Sequence, residues 1–146
     1  MCIRDSIRLD LSDRESIRSF CSAVSFDRID FLINNAGIMA IPQRKLTKEG
    51  IEMQWAINHL GHFYLTHLLW PKVKKSEQFR VVNVSSLAHK KVNGFLRNPG
   101  LDWDNINFEK NYDEGVAYSR SKLYNVLFTR ASVSYTHLTL PTIYSV

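Results

Sequence analysis

Apolar and polar positions change period several times along the 146 residues, and each change predicts an element. Residues 7–11, "IRLDL", alternate with a period of two and predict the end of a strand. From residue 13 the period lengthens. Ile17, Phe20, Cys21 and Val24 recur at i, i+3, i+4 and i+7, which predicts an amphipathic helix over residues 13–25, with Ser12 and Glu15 spaced as a capping box. "IDFLI", residues 29–33, is a short continuous apolar run, the pattern of a parallel strand covered on both faces, and it stops at the turn-forming "NNAG". Thr47 is placed to cap a second helix ending before Pro71, with Ile51, Trp55, Leu60, Tyr64 and Leu68 along one broad face. "FRVVNV", residues 79–84, predicts the next strand. Pro99 and Gly100 fall in a long irregular connection, after which residues 113–131 resume helical spacing.

Strands alternating with crossover helices predict an α/β fold, a partial doubly wound parallel sheet of Rossmann type. Such sheets bind ligands beyond the carboxyl ends of their strands. "LDL", "NNAG" and "NVSS" all lie at such ends, so Asp10, Asn34, Asn35, Gly37, Ser85 and Ser86 are expected along one edge. In "VAYSRSKLYNVL", Tyr118 and Lys122 stand four positions apart and share a helix face. An ammonium one turn away stabilises a phenolate, which makes the phenol a usable proton donor and acceptor. Taken alone, a Tyr-x-x-x-Lys spacing is common.

Composition narrows the class. At 45% hydrophobic and 23% charged, the chain is globular in type, without repeats, and of a length to form one core. The net charge of +5 comes from residues scattered apart from Lys72, Lys74 and Lys75, with no basic stripe interleaved by aromatics, so no nucleic-acid partner is expected. Its most apolar run, "HFYLTHLLW", is too short and polar to span a bilayer. Two cysteines, Cys2 and Cys21, make no disulfide framework, which is compatible with an intracellular, reducing compartment. His59, His62 and His67 lack a His-Glu-x-x-His pattern or a cysteine cluster, and no metal is expected.

Both ends break the pattern of what they adjoin. "MCIRDS" and "VSYTHLTLPTIYSV" resemble translations of opposite strands of a sequencing-library adapter. Residues 1–6 and 132–146 are therefore expected to be adapter-derived, and residues 7–131 to be the central part of a single Rossmann-type domain. On that reading, targeting signals, anchors and native length are not visible here.

"INNAGIM", "NHLGHFYLT", "VVNVSSLAH" and "AYSRSKL", in this order and on these predicted elements, resemble the short-chain dehydrogenase/reductase family, and its retinol-dehydrogenase-like branch in particular. The resemblance covers nearly all of residues 7–130 and implies interconversion of a carbonyl and its alcohol, with a small-molecule substrate such as a retinoid, steroid or other lipid. It implies Tyr118 as catalytic acid/base, Lys122 as the group that tunes it and holds the nicotinamide ribose, and Ser86 as the donor to the reacting oxygen. Asn58 matches the family's helix asparagine, whose backbone carbonyl holds a water connecting Lys122 to solvent. Asn34, Asn35, Ala36 and Gly37 match the wall beside the cofactor's adenosine half, and Asp10 the acidic position near the adenine amine.

Asn and Gly also simply suit turns, and Asp10 also suits a helix amino terminus. The cofactor implied is NADP or NAD, with NADP favoured by analogy with the branch. Trp55, Phe63, Tyr64 and Trp70 are expected to pack, in the core or at a subunit interface, and the resemblance implies a homodimer through their helix. The family's glycine-rich pyrophosphate loop and its later pocket-forming segments are not in this sequence, so the chain by itself is expected to be inactive. A non-catalytic nucleotide-binding scaffold on the same fold is the alternative. The coexistence of Ser86, Tyr118, Lys122 and Asn58 argues against it.

Overall fold

Helix α1 (Arg14–Ala23) starts where Asp13 offers a carboxylate to the free backbone N–H groups of Glu15, at 2.9 Å, and Ser16, at 3.4 Å. Asp13, rather than Ser12, is thus the N-cap. A carboxylate meets both the unpaired donors and the positive end of the helix dipole, whereas a hydroxyl meets only the donors. Ser12 turns back instead and donates to the Asp10 carboxylate at 2.7 Å. These features come from a computed structural model that describes residues 6–90 and 99–136, with side chains to residue 132. The expected adapter-derived ends lie largely outside the described residues.

Strands β1 (Phe31–Asn34) and β2 (Arg80–Asn83) pair in parallel, with Leu32 opposite Val81 and Asn34 opposite Asn83. Residues 7–11 join no ladder among the described residues. A strand exists only through a partner's hydrogen bonds, and no described strand lies beside this segment.

Between the strands runs a long helical stretch in three parts: α2 (Met53–Trp55), a π-helical turn (Ala56–Leu60) and α3 (Gly61–Val73). It begins six residues after the predicted cap. Thr47 closes a turn instead, its hydroxyl accepting from Glu49 and Ile51, while the buried carboxylate of Glu52 caps the helix by accepting from Gln54 and Trp55. The helix also runs through Pro71, expected to lie beyond its end. In the last turn a missing N–H costs a single ladder bond, and Lys74 closes the end on the Trp70 carbonyl at 3.0 Å. Short 3₁₀ turns follow at Leu87–His89 and Trp103–Asn105, and α4 (Glu114–Thr136) completes the chain's described part.

The core forms where α1, α3 and β2 meet, from Ile17, Val24, Leu65, Leu69, Val73 and Val81. Each such side chain contributes about 1.5–3 kcal/mol on burial. Helices α3 and α4 cover one face of the sheet, α3 through Thr66 on Asn34 and α4 through Thr129 on Asn83. The other face of β1 is open among the described residues, with Phe31 68% and Ile33 62% exposed. "IDFLI" predicted cover on both faces; the described helices supply it on one. No described helix is long and apolar enough to cross a membrane.

Candidate active site

The carboxyl ends of β1 and β2, the π-helical turn and the first turns of α4 converge on one place. Lys122 stands there, only 5% exposed, with its Nζ 5.7 Å from the centre of the Tyr118 ring. The helix delivers this pairing directly, since residues four apart share a face. Among the described residues no carboxylate pairs with the ammonium, which donates to the Val84 carbonyl at 3.4 Å. Burial alone lowers its pKa from the ordinary lysine value.

Gly37, at the end of "NNAG", lies against the same spot. A Cβ built there would come 3.1 Å from Asn58 Oδ1 and 3.4 Å from Lys122 Nζ, so a side chain would crowd both. Asn58 is fully buried at the middle of the π-helical turn. Its Oδ1 accepts from the Ile38 N–H at 2.8 Å, and its Nδ2 donates to the Ile38 carbonyl and to Ser121 Oγ, both at 2.9 Å. The side chain therefore staples the loop after β1 to α4.

The two serines after β2 part ways. Ser85 is buried, and its hydroxyl donates to the Lys122 carbonyl at 2.8 Å. Ser86 is only partly buried and starts the Leu87–His89 turn, its Oγ accepting from the Ala88 N–H at 3.3 Å. That leaves the Ser86 proton available to an oxygen outside the protein, while the Ser85 proton is committed. His89 Nδ1 closes a short hydrogen bond on the Ser86 carbonyl.

Of the residues expected along the cofactor wall, Asn35, Ala36 and Gly37 are exposed, and Asn34 is not with them. Asn34 is buried and donates inward, to Asn83 Oδ1 at 2.7 Å and Thr66 Oγ1 at 2.9 Å, so its side chain joins the sheet to α3. Asp10 is exposed. Its Oδ1 accepts from the N–H and hydroxyl of Ser12, and these bonds lower its pKa below the usual carboxylate value.

Several participants escaped the sequence reading. Asn125 is buried between α4, Val84 and Asn58, with both amide hydrogens placed on those two carbonyls. Arg120 is buried with its guanidinium 4.4 Å from the Phe108 ring, donating to the Pro99 and Asn105 carbonyls, and so ties the irregular connection to α4 two residues from Tyr118. The available signal was spacing. Arg120 lies two residues after Tyr118, and Asn125 one turn past Lys122, but spacing cannot say which carbonyls await them. Trp55, His59, Phe63, Tyr124 and Phe128 pack as one aromatic cluster, the packing role expected of Trp55 and Phe63. Among the described residues no group of three or more His, Cys, Asp or Glu is arranged to hold a metal.

A family model described as short chain dehydrogenase matches residues 5–97. Human retinol dehydrogenase 11 is 47% identical over 125 residues, covering 84% of this chain and 37% of that protein. Bovine retinol dehydrogenase 12 is 49% identical over the same length and shares. The chain thus spans little more than a third of these relatives. A crystal structure of an uncharacterised protein from Mycobacterium paratuberculosis is 42% identical and superposes with a TM-score of 0.73, covering 90% of this chain and 46% of that one. A metagenomic short-chain oxidoreductase solved with NADP shares the fold at 21% identity, with a TM-score of 0.64 over 91% of this chain and 53% of its own. On the family-model match and the identity to these relatives, the chain belongs to the short-chain dehydrogenase family.

Proposed function

We propose that the full-length protein carrying this chain interconverts a carbonyl and its alcohol using a nicotinamide cofactor. The observation that carries the reading is Lys122, a buried ammonium with no described carboxylate partner, one helical turn from a phenol and against a glycine that leaves room for a ligand. Burying such a charge is costly, and proteins keep one where it serves a reaction.

Lys122 would hold the cofactor's nicotinamide ribose, with Asn35, Ala36, Gly37 and Asp10 toward its adenosine half; bound there, the cofactor supplies or accepts the hydride. As negative charge grows on the substrate oxygen, Ser86 donates a hydrogen bond to it and Tyr118 gives up its phenolic proton. The neighbouring ammonium then stabilises the phenolate left behind. Alcohol oxidation runs through the same groups in reverse. Asn58 keeps the loop after β1 in place. We further propose NADP over NAD and a retinoid, steroid or other lipid carbonyl as substrate, both by analogy with the retinol-dehydrogenase-like branch, and a homodimer through the helical face that exposes Phe63.

The test is Tyr118→Phe in the full-length protein, followed by nicotinamide absorbance with NADPH or NADH and all-trans-retinal or a ketosteroid. Turnover falls by about 10²–10⁴-fold while cofactor Kd changes less than about twofold. Turnover retained in the variant removes Tyr118 from the mechanism. A wild-type protein that binds nucleotide but reduces no carbonyl is a scaffold, not an enzyme.

A further inference from the structure

Behind Lys122 lies a set of buried hydrogen bonds, and the hydride-transfer chemistry above uses neither Asn125 nor His62. Asn125 Nδ2 donates to the Asn58 carbonyl at 3.0 Å and to the Val84 carbonyl at 3.1 Å. Its Oδ1 lies 3.0 Å from His59 Nδ1. His62 Nδ1 lies 3.2 Å from the same Asn58 carbonyl. Lys122 Nζ shares the Val84 carbonyl with Asn125.

Proton accounting fixes the rest. A carbonyl has no proton to give, so the Asn125 nitrogen must face the two carbonyls and its oxygen must accept. His59 Nδ1 is then obliged to carry a proton, and so is His62 Nδ1, because the Asn58 carbonyl can only accept. Burial lowers the pKa of both imidazoles, which keeps them neutral with their single proton on Nδ1. With His62 and Asn125 both donating, the Asn58 carbonyl is held by side chains from its own helical stretch and from α4.

The location gives these bonds a purpose. Asn58 sits in the π-helical turn, where the widened ladder departs from the regular i→i−4 pattern. The Asn58 side chain seats Ile38, and hence Gly37, against the ammonium. The Val84 carbonyl, held by Asn125, is the only described acceptor of the ammonium itself.

We propose that Asn125 and His62 are positioning residues: they clamp the Asn58 and Val84 carbonyls and thereby fix where the Lys122 ammonium stands. Their effect on turnover rests on the carbonyl-reduction reading above, so the first measurement is independent of turnover. Two-bond ¹H–¹⁵N correlation spectra of the full-length protein near pH 7 are expected to show His59 and His62 neutral and protonated on Nδ1. An Nε2–H tautomer at either ring overturns the clamp.

The second measurement compares His62→Leu with His62→Asn, whose amide N–H replaces the lost Nδ1–H. The leucine variant is expected to lose at least about tenfold in kcat with carbonyl KM within about twofold, and the asparagine variant to stay within about threefold of wild type. Wild-type kcat in His62→Leu, or equal losses in both variants tracking a drop in melting temperature, overturns the proposal. A wild-type protein without any turnover sinks the carbonyl-reduction reading instead, and the tautomers alone then decide the clamp.

Discussion

Adjacent serines of the same chemistry serve different ends at the close of β2. Ser85 points back into the protein and spends its proton on the Lys122 carbonyl; Ser86 faces outward with only an acceptor role filled. Alanine at each position should separate the two. Ser85→Ala is expected to cost about 1 kcal/mol of stability, the usual net value of one buried hydrogen bond, measurable by urea unfolding. Ser86→Ala gives up only the longer, partly exposed bond from Ala88, so it should cost less stability than Ser85→Ala. It should also lower turnover by about 100-fold, a loss of the size seen when one donor to a developing oxyanion is removed. The preference for Ser86 was legible in the sequence through the family resemblance alone. Which way each hydroxyl points depends on the φ/ψ sequence after β2, where Ser86 adopts extended backbone at φ −153° and ψ 155°.

The helical stretch from Met53 to Val73 carries the site's least regular geometry, and its seam is Gly61. A Cβ there would lie 2.5 Å from the Leu11 carbonyl and 2.9 Å from the Leu11 side chain, closer than atoms pack. The glycine lets the segment that bears Asp10 lie directly on the π-turn and α3. Gly61→Ala is expected to destabilise by about 1–3 kcal/mol despite alanine's better helix propensity, because the added methyl forces backbone apart. Thermal unfolding of the full-length variant checks this; an unchanged or raised melting temperature would show that Leu11 yields freely. The stretch starts at Met53 rather than after Thr47 for a related reason. Thr47 and Glu52 both have capping chemistry, and only the tertiary packing that buries Glu52 and bonds its N–H to Asn107 Oδ1 at 2.6 Å decides which of them starts the helix.

Across the whole molecule, the neutral buried imidazoles couple stability to pH. His59 and His62 have pKa values lowered by burial, so the folded chain binds fewer protons than the unfolded one near and below their ordinary value of about 6.5. Their contribution is complete above about pH 6.5 and is lost progressively as pH falls from there through the folded values. Each contributes a slope of at most about 1.4 kcal/mol per pH unit in that window. Urea midpoints measured from pH 8 to pH 5 should therefore fall more steeply for the wild-type protein than for His62→Asn. A variant with the same slope would mean that His62 is already free to protonate when folded.

What the sequence determined by itself is local. The amphipathic helix Arg14–Ala23, the two strand segments and the Tyr118–Lys122 face follow from periodicity, and periodicity is written along the chain. Tertiary structure alone decided whatever depends on residues distant in sequence. Asn34 turned inward because Thr66 and Asn83 wait there, and Asn125 became a hub because the carbonyls of Val84 and Asn58 converge on it. The physical reason is that a polar side chain carries hydrogen-bonding capacity without direction. Buried groups take whichever partners folding brings within 3 Å or so, and 41 and 67 residues of chain separate Asn125 from the two carbonyls it holds.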